Sequence, residues 1–220
     1  MADIRALPVT SELVDYAVSH GSWPVDAVLA DLRAETSALG GPAGMQIGPD
    51  QGQMLTLLTR LVGARRAVEV GTFTGYSSLC IARGLVEGGT LLCCDVSEEW
   101  TAIGRRAWER AGVADRIDLR LAPALDTLRG LPTDVPVDLA FIDADKPGYL
   151  DYWQELVPRV RSGGLLLVDN VLWSGAIIDP ANTEANTEAL RGFNAAVAAD
   201  DRVEAVILPA FDGLTIARRR

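Results

Sequence analysis

From Arg66 to the end of the chain, short apolar runs alternate with longer amphipathic stretches. That alternation is the sequence form of an α/β, doubly wound sheet, mostly parallel, with helices on both faces. The runs AVEV, TLLCCD, RIDLRL, VDLAFID, GLLLVD, VEAVIL and GLTIAR predict seven strands. Between the first five, helical periodicity falls near residues 75–87, 98–111, 123–130 and 147–160. The last two runs are separated only by PAFDG, residues 209–213, too short for a parallel crossover, so they predict an antiparallel hairpin at one edge. Ahead of Arg66 the pattern is helical. Pro24 suits the first turn of a helix over VDAVLADLRAETSAL, and Pro49 that of PDQGQMLTLLTRLVG. GGPAG joins the two, as a plain connector or as a flexible approach to a binding site. In ANTEANTE, residues 181–188, the Asn and Thr residues suit a helix start.

A chain of 220 residues, 49% of them hydrophobic, is expected to form one domain with a substantial core. Its net charge of -10 argues against a dedicated nucleic-acid binder, because neutralising phosphates needs clustered Lys and Arg. The basic Arg218 to Arg220 reads as a solvated chain end. No apolar run approaches the roughly 20 residues needed to cross a bilayer, and no basic-then-apolar leader opens the chain, so a cytoplasmic protein without a membrane partner is expected. Cys80, Cys93 and Cys94 read as reduced core thiols. His20 is the only histidine, which leaves a Ser-His-Asp triad or a zinc site little to work with; a surface helix is its expected place.

Against that background three features carry candidate chemistry. EVGTFTGYSS leaves a strand, turns on Gly71 and Gly75 and enters a helix, the place where ligands meet open α/β sheets. A dinucleotide fingerprint fails at Phe73, and no Gly-Lys-Ser/Thr follows for a phosphate loop. What remains is Glu69 before the turn and Asp95 at the next strand end, acids suited to ribose hydroxyls; tight packing alone would also account for the glycines. Asp143, Asp169 and Asn170 end two strands expected to be neighbours, and their oxygens suit Mg²⁺, Mn²⁺ or Ca²⁺ unless they only cap turns. Finally, FIDADKPGY holds Lys146, the only lysine beside nineteen arginines. Lysine can give up its proton in a tuned setting, whereas arginine stays charged.

MQIGPDQGQMLTLL, VEVGTFTGYSSL, FIDADKPGYLDYW, LLLVDNVLWSG and FDGLTIARR together resemble the cation-dependent class I O-methyltransferases of the caffeoyl-CoA and catechol type, in order over about residues 10–220. The resemblance implies a Rossmann-like seven-stranded fold with an antiparallel last strand. It implies residues 1–62 as a helical segment over the active site, residues 63–220 as the core binding S-adenosyl-L-methionine (SAM), and a homodimer. It places Glu69, Gly71 and Thr72 in the SAM turn, Ser77 at the methionine carboxylate, Asp95 at the ribose and Ala124 beside the adenine. Met45 and Ile47 fall in the segment closing over SAM; Ile47 stands where a hydroxyl residue is often found and cannot donate. Asp143, Asp169 and Asn170 match the metal ligands, Asp143 and Asp145 lie beside the cofactor, and Lys146, with Asp143 as the other catalytic residue, matches the proposed general base.

Trp173 and Ser174 in LWSGAI correspond to a substrate-facing loop, with Trp173 the preferred wall. Tyr149, Tyr152 and Trp153 are either further walls or core. A CoA thioester would call for several cations near the N-terminus; only Arg5 and Arg33 stand there, so a small vicinal-diol phenol is the expected acceptor and a caffeoyl-CoA-type ester the alternative. Two rival readings are a catalytically silent SAM-binding protein, disfavoured by the intact Asp143, Lys146, Asp169 and Asn170, and a nicotinamide-dependent oxidoreductase, disfavoured by Phe73.

Overall fold

The computed structural model describes residues 9–21 and 25–220; Arg5 and Pro24 lie outside the described residues. Seven strands form one sheet: β1 (Arg66–Val70), β2 (Thr90–Asp95), β3 (Ile117–Leu121), β4 (Val137–Ile142), β5 (Val160–Val168), β6 (Val203–Leu208) and β7 (Leu214–Arg219), in the order β3-β2-β1-β4-β5-β7-β6. The first five are parallel; β7 runs antiparallel to both β5 and β6, the predicted edge hairpin. The chain reverses its progress across the sheet between β1 and β4. A crevice opens there at the carboxyl ends of the strands.

Side-chain alternation divides the core in two. Ala67, Leu91, Cys93, Leu139 and Phe141 face a cluster built with α2 (Ala27–Ser37), α3 (Pro49–Leu61), α4 (Tyr76–Gly84) and α5 (Glu98–Arg110). Val68, Val70, Ala140, Ile142, Leu166 and Val168 face the other, completed by α6 (Ala124–Arg129), α7 (Tyr149–Leu156) and α8 (Ala185–Ala198). Each fully buried Leu, Ile or Phe contributes about 1.5–3 kcal/mol. Cys80, Cys93 and Cys94 are buried free thiols, and burial pushes Cys80 and Cys94 up to about 12.

Several boundaries differ from the pattern. The helix predicted over VDAVLADLRAETSAL begins at Ala27 because Asp26 caps it, its carboxylate accepting from the Leu29 N–H at 3.0 Å. β5 starts at Val160, where helix was expected, and pairs with β4 through a register shift between Val137 and Leu139. Arg218 and Arg219 are not a solvated tail. Both belong to β7, where Arg218 pairs with Glu204 and Arg219 donates to the carbonyl oxygens of Val157 and Arg202. His20 is exposed on α1 (Ser11–Gly21), stacked on Tyr16. No helix among the described residues is long and apolar enough to cross a membrane.

Candidate functional site

The crevice is a cavity of about 880 Å³ running from the β1–α4 turn to the ends of β4 and β5. At Gly71 the backbone takes φ +89°, and a Cβ there would lie 1.8 Å from the carbonyl oxygen of Asp143, so only glycine lets the turn press against the end of β4. Asp95 fixes the turn's other side. One carboxylate oxygen accepts from the N–H groups of Thr72 and Phe73 at 2.9 and 2.8 Å, the other from Val96 and Ser97 at 2.7 and 2.8 Å. A ribose diol would therefore share oxygens that already accept four backbone N–H groups.

Of the residues expected at the cofactor, Met45, Ile47, Gly71, Thr72, Ser77, Asp95, Ala124, Asp143 and Asp145 line this cavity. Glu69 does not. It is fully buried behind the turn, where its carboxylate accepts from the Ser78 hydroxyl and burial pushes it up to about 7. Among the described residues, one Glu69 oxygen and the Thr72 hydroxyl are buried with no hydrogen-bond partner. Phe73, which excluded the dinucleotide fingerprint, packs edge-to-face on Trp100 at 5.1 Å, and both line the same end. Nothing in the sequence marks Trp100, which stands in the first turn of an ordinary amphipathic helix.

At the other end Asp143, Asp169 and Asn170 line the cavity together with Lys146, which is buried. Lys146 Nζ donates to Asn170 Oδ1 at 2.7 Å, Tyr149 Oη at 2.7 Å, the Ala144 carbonyl at 3.0 Å and Asp143 Oδ1 at 3.3 Å. Burial raises the carboxyls of Asp143 and Asp169; Asp169, pushed further by the neighbouring Asp143, reaches about 6. Gln51, from α3, donates to Asp169 Oδ2 at 2.7 Å, and the Asn170 N–H to Asp169 Oδ1 at 2.8 Å. Among the described residues no cluster of three or more His, Cys, Asp or Glu side chains is placed to hold a metal. The set here is two carboxylates and an amide. Two of its oxygens already converge on one cationic atom and two of its acids repel each other, so a hard cation fits its chemistry.

Trp173 lines the cavity with its ring centroid 5.5 Å from Lys146 Nζ; Ser174, expected beside it, is exposed and does not line it. The backbone is left-handed at Asn170 (φ 58°), Trp173 (φ 48°) and Ser174 (φ 50°). Such conformations persist when the surroundings over-determine them. Here the β6–β7 hairpin does so: Asp212 accepts from Leu172 N–H at 3.0 Å through its carbonyl and from Ser174 N–H through its carboxylate, and the Gly213 carbonyl accepts from Val171 N–H at 3.0 Å. Asp212 also lines the cavity. Tyr149 and Trp153 are core, whereas Tyr152 lines the cavity and donates to Asp145.

Known proteins resemble this chain in sequence and fold. The O-methyltransferase family model matches residues 19–220. Caffeoyl-CoA O-methyltransferase 2 of Zea mays is 42% identical over 225 residues, covering 98% of this chain and 85% of its own. The O-methyltransferase of Bacillus cereus, solved in complex with SAH, superposes with a TM-score of 0.86 at 34% identity, over 94% of this chain and 97% of its own. An O-methyltransferase of Streptomyces achromogenes involved in tomaymycin synthesis, solved in complex with SAM, superposes with a TM-score of 0.86 at 30% identity, over 94% and 96%.

Proposed function

The chain belongs to the O-methyltransferase family and is a SAM-dependent enzyme, and on that premise we propose that it methylates one hydroxyl of a vicinal dihydroxyphenyl ring carried on an acceptor of the caffeoyl-CoA type. The observation that carries this reading is the single cavity joining the Gly71 turn to the oxygen cluster at Asp143, Asp169 and Asn170. SAM supplies an electrophilic methyl group: its sulfur–carbon bond breaks with the electron pair left on sulfur, and an oxygen–carbon bond forms at the phenol. A divalent cation held by Asp143, Asp169 and Asn170 would make a bound hydroxyl more acidic.

The remaining roles fall to the protein. Gly71, Thr72, Ser77, Asp95, Ala124 and Asp145 hold SAM, with Met45 and Ile47 over it. Asp143, at the junction of the two halves, brings the acceptor oxygen beside the methyl group, turning an intermolecular step into an effectively intramolecular one. Lys146 Nζ takes the phenolic proton, being the basic nitrogen among the oxygens that would surround it. Trp173 forms the wall against the ring. The whole chain is taken as one domain, residues 1–62 covering the site and 63–220 binding SAM. A homodimer is proposed too, supported by the uncovered Val14 and Tyr16 of α1.

The thioester is preferred because the Zea mays relative is named for caffeoyl-CoA. The free phenol is the second reading, favoured by the net charge of -10 and the absence of lysine ahead of Lys146. Initial rates with caffeoyl-CoA, caffeate and catechol, each with Mg²⁺ and with EDTA, test both. We expect the highest kcat/KM on caffeoyl-CoA and loss of turnover in EDTA. A preference for catechol would reverse the acceptor assignment, and full activity in EDTA would remove the cation.

A further inference from the structure

The segment over the SAM end of the cavity, residues 44–48, connects α2 to α3 and is rich in glycine, with Gly40 and Gly41 just before it and Gly44 and Gly48 within. Met45 is half exposed, and Ile47 is buried in the core cluster beneath. Between them Gln46 turns inward. Its Nε2 donates to Thr36 Oγ1 at 2.8 Å and to Thr74 Oγ1 at 3.0 Å, and the two threonine oxygens lie 2.9 Å apart. Thr36 also donates to the Leu32 carbonyl of its own helix at 2.9 Å. Both threonines are buried, Thr36 at 1% and Thr74 at 0% exposure.

Gln46 thus joins three separate pieces: the covering segment, α2 through Thr36, and the cofactor turn through Thr74, two residues from Thr72. Its amide has two N–H groups, which match the two buried hydroxyl oxygens. The segment's own backbone closes only a short 3-10 turn, Gly41–Met45, with the Gln46 N–H donating to the Ala43 carbonyl at 3.2 Å, so its tie to the rest of the fold comes from side chains. Its attachment rests on the Ile47 contact, which is non-directional, and on Gln46, which fixes position.

We propose that Gln46 is a positioning residue that latches residues 44–48 onto the cofactor turn and so governs how long SAM and its demethylated product stay bound. The inference rests on the SAM-dependent reading above and adds to it a residue that touches no reacting atom. Opening the segment to release product requires breaking both hydrogen bonds donated by the Gln46 side chain, whereas the chemistry at Lys146 does not.

The test compares wild type with Gln46→Ala, and with Thr74→Val and Thr74→Ser, the last keeping the hydroxyl. Stopped-flow fluorescence of Trp100, which lines the same end, reads SAM and SAH dissociation. Hydrogen exchange of residues 42–48 reads the latch in ligand-free protein. Gln46→Ala and Thr74→Val are expected to speed dissociation and exchange by about fivefold or more, the scale of one or two hydrogen bonds. KM for SAM should rise more than kcat changes, and Thr74→Ser should restore wild-type behaviour. Wild-type dissociation and exchange in a folded Gln46→Ala would overturn the latch. Failure of wild type to bind SAM would instead sink the functional reading, and exchange at 42–48 would still decide whether the latch exists.

Discussion

The two ends of the cavity are built on different physical principles. The SAM end consists of backbone N–H groups, small residues and a fixed carboxylate: Asp95 alone orders the turns after β1 and β2 through four backbone N–H groups. The acceptor end concentrates charge and left-handed backbone, with Lys146 and Asp169 buried, Asp143 accepting from Lys146 at 3.3 Å, and Asn170, Trp173 and Ser174 at positive φ, against Phe73 as the one such non-glycine residue in the SAM turn. One end is preorganised by satisfied hydrogen bonds. The other holds repulsion and strain in place by the rest of the fold, the arrangement expected where chemistry is done.

Lys146 offers the largest test of this contrast. Lys146→Ala should lower kcat by about a hundredfold or more, the usual scale for a general base, and most at neutral pH. Lys146→Arg should not rescue it, because guanidinium stays protonated. SAM affinity should change little in either variant. A Lys146→Ala variant with an unchanged pH–rate profile would leave the residue as an organiser of Asp143 and Asn170 and make the two ends alike in kind.

Glu69 tests the exception at the SAM end, a buried carboxyl behind the turn with one oxygen left unpartnered among the described residues. Its carboxyl is raised from 4.5 to about 7 by burial, so the folded state binds its proton more tightly than the unfolded chain. Stability from this group is therefore full below pH 4.5 and lost as pH rises towards about 7, a loss on the order of 3 kcal/mol. Glu69→Gln should flatten that part of the pH–stability curve in urea melts, since an amide keeps an oxygen for the Ser78 hydroxyl and supplies N–H groups to the unpartnered side. A Glu69→Gln curve parallel to wild type would show the carboxylate already compensated.

The contrast also explains what the sequence disclosed. The turn proposed for SAM is one contiguous stretch, EVGTFTGYSS, with Asp95 at the next strand end, and local pattern suffices to propose it. Asp143, Asp169 and Asn170 were legible for the same reason, as residues ending adjacent strands. Burial of Lys146 was not, because it depends on Tyr149 and Asn170 closing around it. Gln51 was hidden more deeply: it reaches Asp169 across 118 residues, and helical spacing in α3 marks it only as one polar position among several. Glu69 was placed at the cofactor by its motif, yet strand alternation turns it with Ala67 towards the α4 side, behind the turn. Such residues are set by tertiary packing rather than by period or propensity.

Asp212 offers the subtlest test, because it supports the acceptor end without belonging to the oxygen cluster. Its carboxylate accepts the Ser174 N–H while Trp173 and Ser174 are left-handed, conformations that cost about 1–3 kcal/mol each for residues with a Cβ. A hydrogen bond to a charged acceptor contributes about 1.5–3 kcal/mol, enough to offset one of the two. Asp212→Ala removes the carboxylate but keeps the carbonyl bond to Leu172, so the loop should stay docked while its tip relaxes and Trp173 loses its fixed place. The expected result is a rise of about threefold to tenfold in KM for the acceptor, with the Kd for SAM held near wild type. Asp212→Asn, which keeps an acceptor oxygen, should lie between the two. Equal effects on acceptor and SAM would mean that strain at the Trp173 loop is shared across the whole cavity, and that its two ends are not built independently.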